Sequence, residues 1–202
     1  MISKGMLAEA QALARENIAK LLPWVDRGAM IVGAEPSCLL TLVDEYVDLV
    51  PGPNAERIAS RAMLIDDYLV KNSIELDFQP DPRPVLLHGH CHQKSLVGVS
   101  ATRELLSRAY SGGVTVVDSG CCGMAGSFGY EHYDTSMQIG ERVLFPAVRS
   151  AEESLIAANG FSCRQQIAHG ARRGALHPIE WVMYRLAHVV ASTDVFESLD
   201  DV

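Results

Sequence analysis

Five cysteines carry most of the chemical information in this 202-residue chain: Cys38, Cys91, the adjacent pair Cys121 and Cys122, and Cys163. Each follows a short apolar run that reads as a β-strand: Ile31-Val32-Gly33-Ala34, Val85-Leu86-Leu87-His88, Val114-Thr115-Val116-Val117 and Leu155-Ile156-Ala157-Ala158. If these strands are parallel neighbours, the thiols gather beyond the carboxyl ends of one sheet, where open α/β sheets bind ligands. Gathered thiolates suit a soft metal ion or an iron–sulfur cluster. Cys91, Cys121, Cys122 and Cys163 form the sharpest constellation, and Cys38 belongs either to the same site or to an incomplete second one. The bland alternative is a set of buried structural thiols, because free cysteine is among the most buried residue types.

Two further groups surround the cysteines. His88, His90 and His92 alternate, so in extended chain they share one face while Cys91 takes the other. His90 and His92 are candidate ligands or proton-transfer groups. Gly120, Gly123, Gly126 and Gly129 recur every third residue, as expected of a loop whose backbone passes close to a cofactor. Their N–H groups can stabilise the negative charge of a thiolate-held centre. The loop has no Gly-Lys-Ser/Thr ending for a phosphate cradle. Glycine directly before Ser127 breaks the Gly-x-Ser-x-Gly spacing of a nucleophilic serine. Asp118 and Glu131 read as a turn residue and a helix-start charge rather than an acid/base pair.

The elements that position these residues alternate in type. An amphipathic helix is expected from about Gly5 to Leu22 and a second from about Ala55 to Val70. Pro80, Pro82 and Pro84 make a stiff connector and mark the main boundary. Beyond it, helices are expected from about Gln93 to Ala109, from about Glu131 onward, and from near Pro178. Strands alternating with helices imply a mostly parallel sheet with flanking helices, an α/β fold. The segment 30–38 resembles 154–163, each an apolar strand ending in Ser-Cys. Residues 1–79 therefore read as the closing half of a unit whose whole copy is 85–190, with 191–202 a tail, as if the chain were a piece of something longer.

Composition narrows the partners. A net charge of −8 argues against nucleic acid, whose phosphates require a basic surface. Arg172-Arg173 reads as a solvated helix end. No apolar stretch approaches the ~20 residues of a membrane helix, and no signal-peptide core follows Met1. A cytoplasmic location is expected, and there cysteines serve as metal ligands more often than as disulfides.

The segments His90-Cys91-His92-Gln93-Lys94, Gly120-Cys121-Cys122-Gly123-Met124-Ala125-Gly126-Ser127-Phe128-Gly129 and Gly160-Phe161-Ser162-Cys163-Arg164-Gln165-Gln166 resemble the cysteine-rich CCG domain. That domain occurs in heterodisulfide reductases and in the iron–sulfur subunits of glycolate oxidases. The resemblance runs from about Gly5 to Leu186 and is similar to the C-terminal part of FAD-linked oxidases fused to an iron–sulfur module, of D-lactate or glycolate dehydrogenase type. It implies one partial and one complete CCG repeat, with Cys91, Cys121, Cys122 and Cys163 in ligand positions. The family's final cysteine falls on Gln166. With four cysteines, the resemblance implies a [4Fe-4S] cluster or Zn²⁺, with FAD on a missing domain or a flavoprotein partner. It implies electron transfer toward a quinone or another carrier, peripheral to the inner membrane through partners. The rivals are a zinc-stabilised assembly module and a thiol enzyme using Cys121 and Cys122.

Overall fold

The computed structural model describes residues 1–187 and divides the chain into two compact units, Met1–Tyr68 and Leu69–Val202. The expected tail 191–202 and residues 188–190 lie outside the described residues.

In the first unit, α1 (Leu7–Val25) buries Ala10, Ala14, Ile18 and Val25, one stripe at helical spacing. After it come β1 (Ile31–Gly33), α2 (Pro36–Val43), α3 (Glu45–Leu49) and α4 (Pro53–Arg61). Proline opens both α2 and α4, where its missing N–H costs nothing. Ile18 and Val25 pack on Ala55 and Ile58, while Leu39 and Leu40 pack on Ala62 and Leu64. Gln11 Nε2 donates to Leu49 O at 2.6 Å and ties α1 to the end of α3.

The structure corrects the reading of 55–70 as one helix. Ala62–Leu64 is a strand, β2, paired in parallel with β1 from Ile31↔Ala62 to Gly33↔Leu64. Ala62 and Leu64 are buried with Met63 between them partly exposed, a period of two that the surrounding helical spacing conceals. Helix α5 (Ile65–Lys71) follows directly.

The second unit holds a separate three-stranded parallel sheet of order β4-β3-β5, from β3 (Val85–His88), β4 (Val114–Val116) and β5 (Leu155–Ala158). Both sheets are parallel and flanked by helices, as the α/β reading expects, but β1 is not a neighbour of the other cysteine-bearing strands. Between β3 and β4 lie α6 (Cys91–Leu96) and α7 (Ser100–Ala109). Between β4 and β5 lie α8 (Phe128–Glu131), α9 (Tyr133–Glu141) and α10 (Leu144–Ser150). Helices α11 (Phe161–Ala171) and α12 (Pro178–Met183) complete the described part. The helix expected from about Glu131 onward is therefore two pieces, α9 and α10, with α8 ending at Glu131.

Strand parity decides what each face buries. Val85 and Leu87 point to one side, with Leu105, Leu106, Ala109, Tyr110 and Val182. Leu86 points to the other, with Leu144, Phe145, Val148, Ile156 and Ile167. With both faces covered, β3 is buried at all four positions, as a central parallel strand requires. On the second face, α9 and α11 approach Phe145 through Gly140 and Gly170, where any Cβ would strike the Phe145 ring. The prolines of 80–84 are held by Asp81, whose carboxylate accepts from Arg83 Nε and Nη2 at 3.1 and 2.8 Å. Arg173 donates to Ala151 O and Ser154 O at 3.1 and 2.9 Å and so serves the fold, while Arg172 is exposed at the end of the helix after β5.

Candidate metal centre

The three strands of the second sheet end together, with His88 of β3 level with Ala158 of β5. Beyond those ends the chain turns at once into the cysteines. Cys91 is the first residue of α6, and Cys163 sits in the first turn of α11. Cys121 and Cys122 lie in the loop between β4 and α8. The four sulfurs form a contiguous hydrogen-bonded row, Cys91 to Cys121, Cys121 to Cys122, and Cys122 to Cys163. The row runs inward, with Cys91 exposed, Cys121 half-buried, and Cys122 and Cys163 buried. Cys38 lies in the first unit, exposed on α2.

Hydrogen bonding shifts the four thiols in alternating directions along the row. Cys121 is held down to about 2, because the Cys122 and Cys91 thiols donate to it against the penalty of burial. Gly123 N–H donates to it at 3.3 Å, and the Ala125 N–H adds to the effect. Cys163 is pushed well below its ordinary value by the Cys122 thiol, burial opposing, with the His88 ring adding to the lowering. Cys91 and Cys122 are pushed up, chiefly because each donates its proton to Cys121, and Cys122 to Cys163 as well. Sulfurs whose thiolate form is favoured thus alternate along the row with sulfurs whose thiol form is favoured. Thiolate is the form that binds metal, and a cation supplies the charge that lets the other two ionise.

The glycine loop shapes this row from its own backbone. Gly123 has φ +105°, and a Cβ there would strike Ser136 O and meet Gln166 Nε2 at 3.1 Å. Gly126 needs its φ of +68° in open space, and a Cβ at Gly129 would meet Met124 Sδ at 2.5 Å. Gly120 has nothing near it. The demands on Gly123 and Gly129 are therefore packing of the loop on itself and on α9. Lys94 of α6 grips the loop from outside, donating to Ser119 O and, at 3.2 Å, to Gly120 O. Ser127 Oγ donates to Glu131 Oε1 at 3.0 Å, a bond that braces the loop–helix junction.

Gln166 stands one helical turn after Cys163, where the resemblance expects a fifth sulfur. It is buried, and its Nε2 donates to Ser136 Oγ at 2.9 Å and Ser136 O at 3.2 Å. The position therefore holds an amide that ties α11 to α9.

The histidines are placed differently from the alternation expected of them. The strand stops at His88, and His90 is already the residue before α6, so His92 is helical and half-exposed. His90 lies over Gly160, where a Cβ would strike its Cδ2 and meet Cys163 Sγ at 3.1 Å. The histidine that most closely joins the sulfurs is His88, for which the sequence reading proposed no ligand role. Its ring nitrogen lies with Cys122 Sγ and Cys163 Sγ, all within 4.8 Å of one another. The signal was present in the sequence: His88 stands two residues from Leu86, on the face that carries Cys163.

Comparison with known proteins gives consistent relatives. Residues 85–168 match the family model described as the CCG cysteine-rich domain. A subunit of the anaerobic glycerol-3-phosphate dehydrogenase of Escherichia coli (strain K12) is 29% identical over 196 residues, which is 93% of this chain and 48% of that protein. The D-2-hydroxyglutarate dehydrogenases of Pseudomonas putida and Escherichia coli are 29% and 28% identical over 89% and 88% of the chain, and 18% of their own lengths. The chain thus spans about half the length of the first relative and about a fifth of the others. No solved structure matches.

Proposed function

We propose that the chain, whose residues 85–168 match the model of the CCG cysteine-rich domain, is the metal-binding, electron-transfer module of an FAD-linked dehydrogenase acting on a 2-hydroxyacid of the D-lactate or glycolate type. The observation that carries this reading is the row Cys91–Cys121–Cys122–Cys163 beyond the carboxyl ends of three parallel strands. Relatives named as dehydrogenases support the reaction class, and two of them are named for a 2-hydroxyacid.

The residues present fit a thiolate-held centre. Four sulfurs lie in contact, and loop N–H groups donate to the sulfur of Cys121. A [4Fe-4S] cluster bound there would take up and pass on single electrons. This chain's own residues supply the rest. Cys91, at the exposed end of the row, gives the centre an edge toward a partner. Cys122 and Cys163 anchor its inner end in the apolar cluster around Phe145 and Ile167. Lys94 and Gly123 keep the loop from withdrawing. Removing two electrons as hydride from a hydroxyacid is flavin chemistry, so that step falls to a flavoprotein domain or subunit. The acceptor is a quinone or another carrier. No helix among the described residues is long and apolar enough to cross a membrane, and any association with the inner membrane runs through partners.

A zinc-stabilised assembly module is the second reading, favoured by the imidazole beside the two buried sulfurs. Anaerobic purification with analysis for iron, sulfide and zinc separates the two. Iron with sulfide and broad visible absorption is expected. Zinc without iron would replace the electron-transfer reading by the second, and neither metal would sink both. The chain alone is expected to oxidise no D-lactate or glycolate with an artificial acceptor; turnover would overturn the modular reading.

A further inference from the structure

His88 occupies the last position of β3 and is 1% exposed. Its Nδ1 lies 2.9 Å from Ser119 Oγ, in the segment that leads into the Cys-Cys loop. Its Nε2 is buried with no nitrogen or oxygen partner. A polar atom so placed is costly unless something satisfies it. The groups beside the ring are the sulfurs of Cys122 and Cys163.

We infer that His88 is a ligand of the metal centre through Nε2, so that its inner end is held by one imidazole nitrogen together with the thiolates of Cys122 and Cys163. This inference rests on the reading of the cysteine row as a metal site, and it names a donor which that reading lacks. Three observations carry it. Strand parity aims His88 at the face where Leu86 packs with Cys122 and Cys163. The three candidate donor atoms lie within 4.8 Å of one another, the span of donors around a single ion. Ser119 holds the other ring nitrogen, as outer partners of metal-bound histidines do: with the proton on Nδ1, the Nε2 lone pair is free for metal. Gln166 supplies no sulfur, and the nitrogen from β3 adds a donor that the four cysteines lack.

One nitrogen with thiolates is the donor set of a zinc-type ion, and equally of an iron whose potential is raised by imidazole. Elemental analysis of the purified chain distinguishes the two. His90 is the rival donor, because its Nδ1 is also buried without a partner. It does not, however, join two sulfurs within the same span.

The test uses the whole chain loaded with ¹¹³Cd²⁺ and read by cadmium–proton correlation. A correlation to the ring protons of His88 is expected, assigned from wild-type resonances so that it does not depend on a variant folding. Ser119→Ala should weaken metal binding about 10-fold, and His88→Gln by more than that, while exposed His169→Gln leaves it unchanged. Bound cadmium correlated to His90 or to no histidine would overturn the inference and leave the metal site standing. Failure of the wild-type chain to bind cadmium, zinc or iron would overturn both.

Discussion

Both units of this protein pair parallel strands and follow a strand with a helix that carries a cysteine, yet only one gathers a site. In the first unit, β1 is partly exposed along its length, its sheet has two strands, and Cys38 stands exposed on α2. In the second, β3 lies between two partners, both faces are covered, and four sulfurs converge beyond the strand ends. The same local motif, an apolar strand followed by Ser-Cys or its like, therefore has two outcomes. What differs is the number of strand ends that meet. A thiol at one strand end faces solvent; thiols at three adjoining ends face one another and shift one another's ionisation.

Ligand deletion should give the largest contrast. Cys122→Ser and Cys163→Ser are expected to lower metal affinity by about 100-fold or more and to lower thermal stability with it, since binding is coupled to folding. Cys38→Ser should change neither. Metal stoichiometry and melting temperature are the measurements, and equal losses at Cys38 and Cys122 would erase the distinction between the units. The cores should differ in the same direction. Leu87 is 0% exposed and Val32 39%. Leu87→Ala is expected to cost about 2–5 kcal/mol in urea unfolding, and Val32→Ala at most about 0.5 kcal/mol.

How much of this was legible in the sequence follows from the same contrast. The strands β3, β4 and β5 were legible because each is an apolar run closed by a turn, and the row of four cysteines was legible because each follows one of them. Strand β2 was not, since Ala62-Met63-Leu64 sits at the end of a good helical pattern and only its pairing with β1 makes it extended. The histidine face was misjudged because the alternation of His88, His90 and His92 presumes extended chain, and α6 begins at Cys91. Gly123 and Gly129, expected beside a cofactor, also meet packing demands from Ser136 and Met124 that the sequence did not reveal.

Glycines offer a sharper comparison. Gly28 of the first unit and Gly123 of the second both have strongly positive φ, +91° and +105°. Gly28 has open space where a Cβ would go, whereas Gly123 has Ser136 O. Gly28→Ala should cost only the backbone preference, about 1 kcal/mol. Gly123→Ala carries that strain and must also displace α9, so it should cost clearly more in urea unfolding and reduce metal occupancy. Equal costs would mean that the loop yields freely.

The smallest effect concerns acid stability. Glu16 pairs with Lys20 on the exposed face of α1, whereas Asp81 is held by Arg83 and approached by Arg185 at 3.8 Å, with its own side chain 10% exposed. Asp81 is lowered from 3.8, chiefly by the Arg83 side-chain bond, with burial opposing and the Arg83 N–H assisting. A carboxylate depressed in the folded state stabilises the fold above its unfolded value and loses that contribution as pH falls through the folded one. The Asp81 contribution should therefore be complete above about pH 4 and disappear below it. Asp81→Asn is expected to lower stability at pH 7 by about 1–2 kcal/mol, the scale of a charge-assisted bond, and to flatten the acid limb of the stability curve. Glu16→Gln should leave that limb unchanged, because an exposed pair of this kind contributes little. Unfolding curves measured between pH 2 and pH 7 decide it. An unchanged acid limb in Asp81→Asn would mean that the proline segment is held by its backbone bonds to Ala109 and Ser111 rather than by the ion pair.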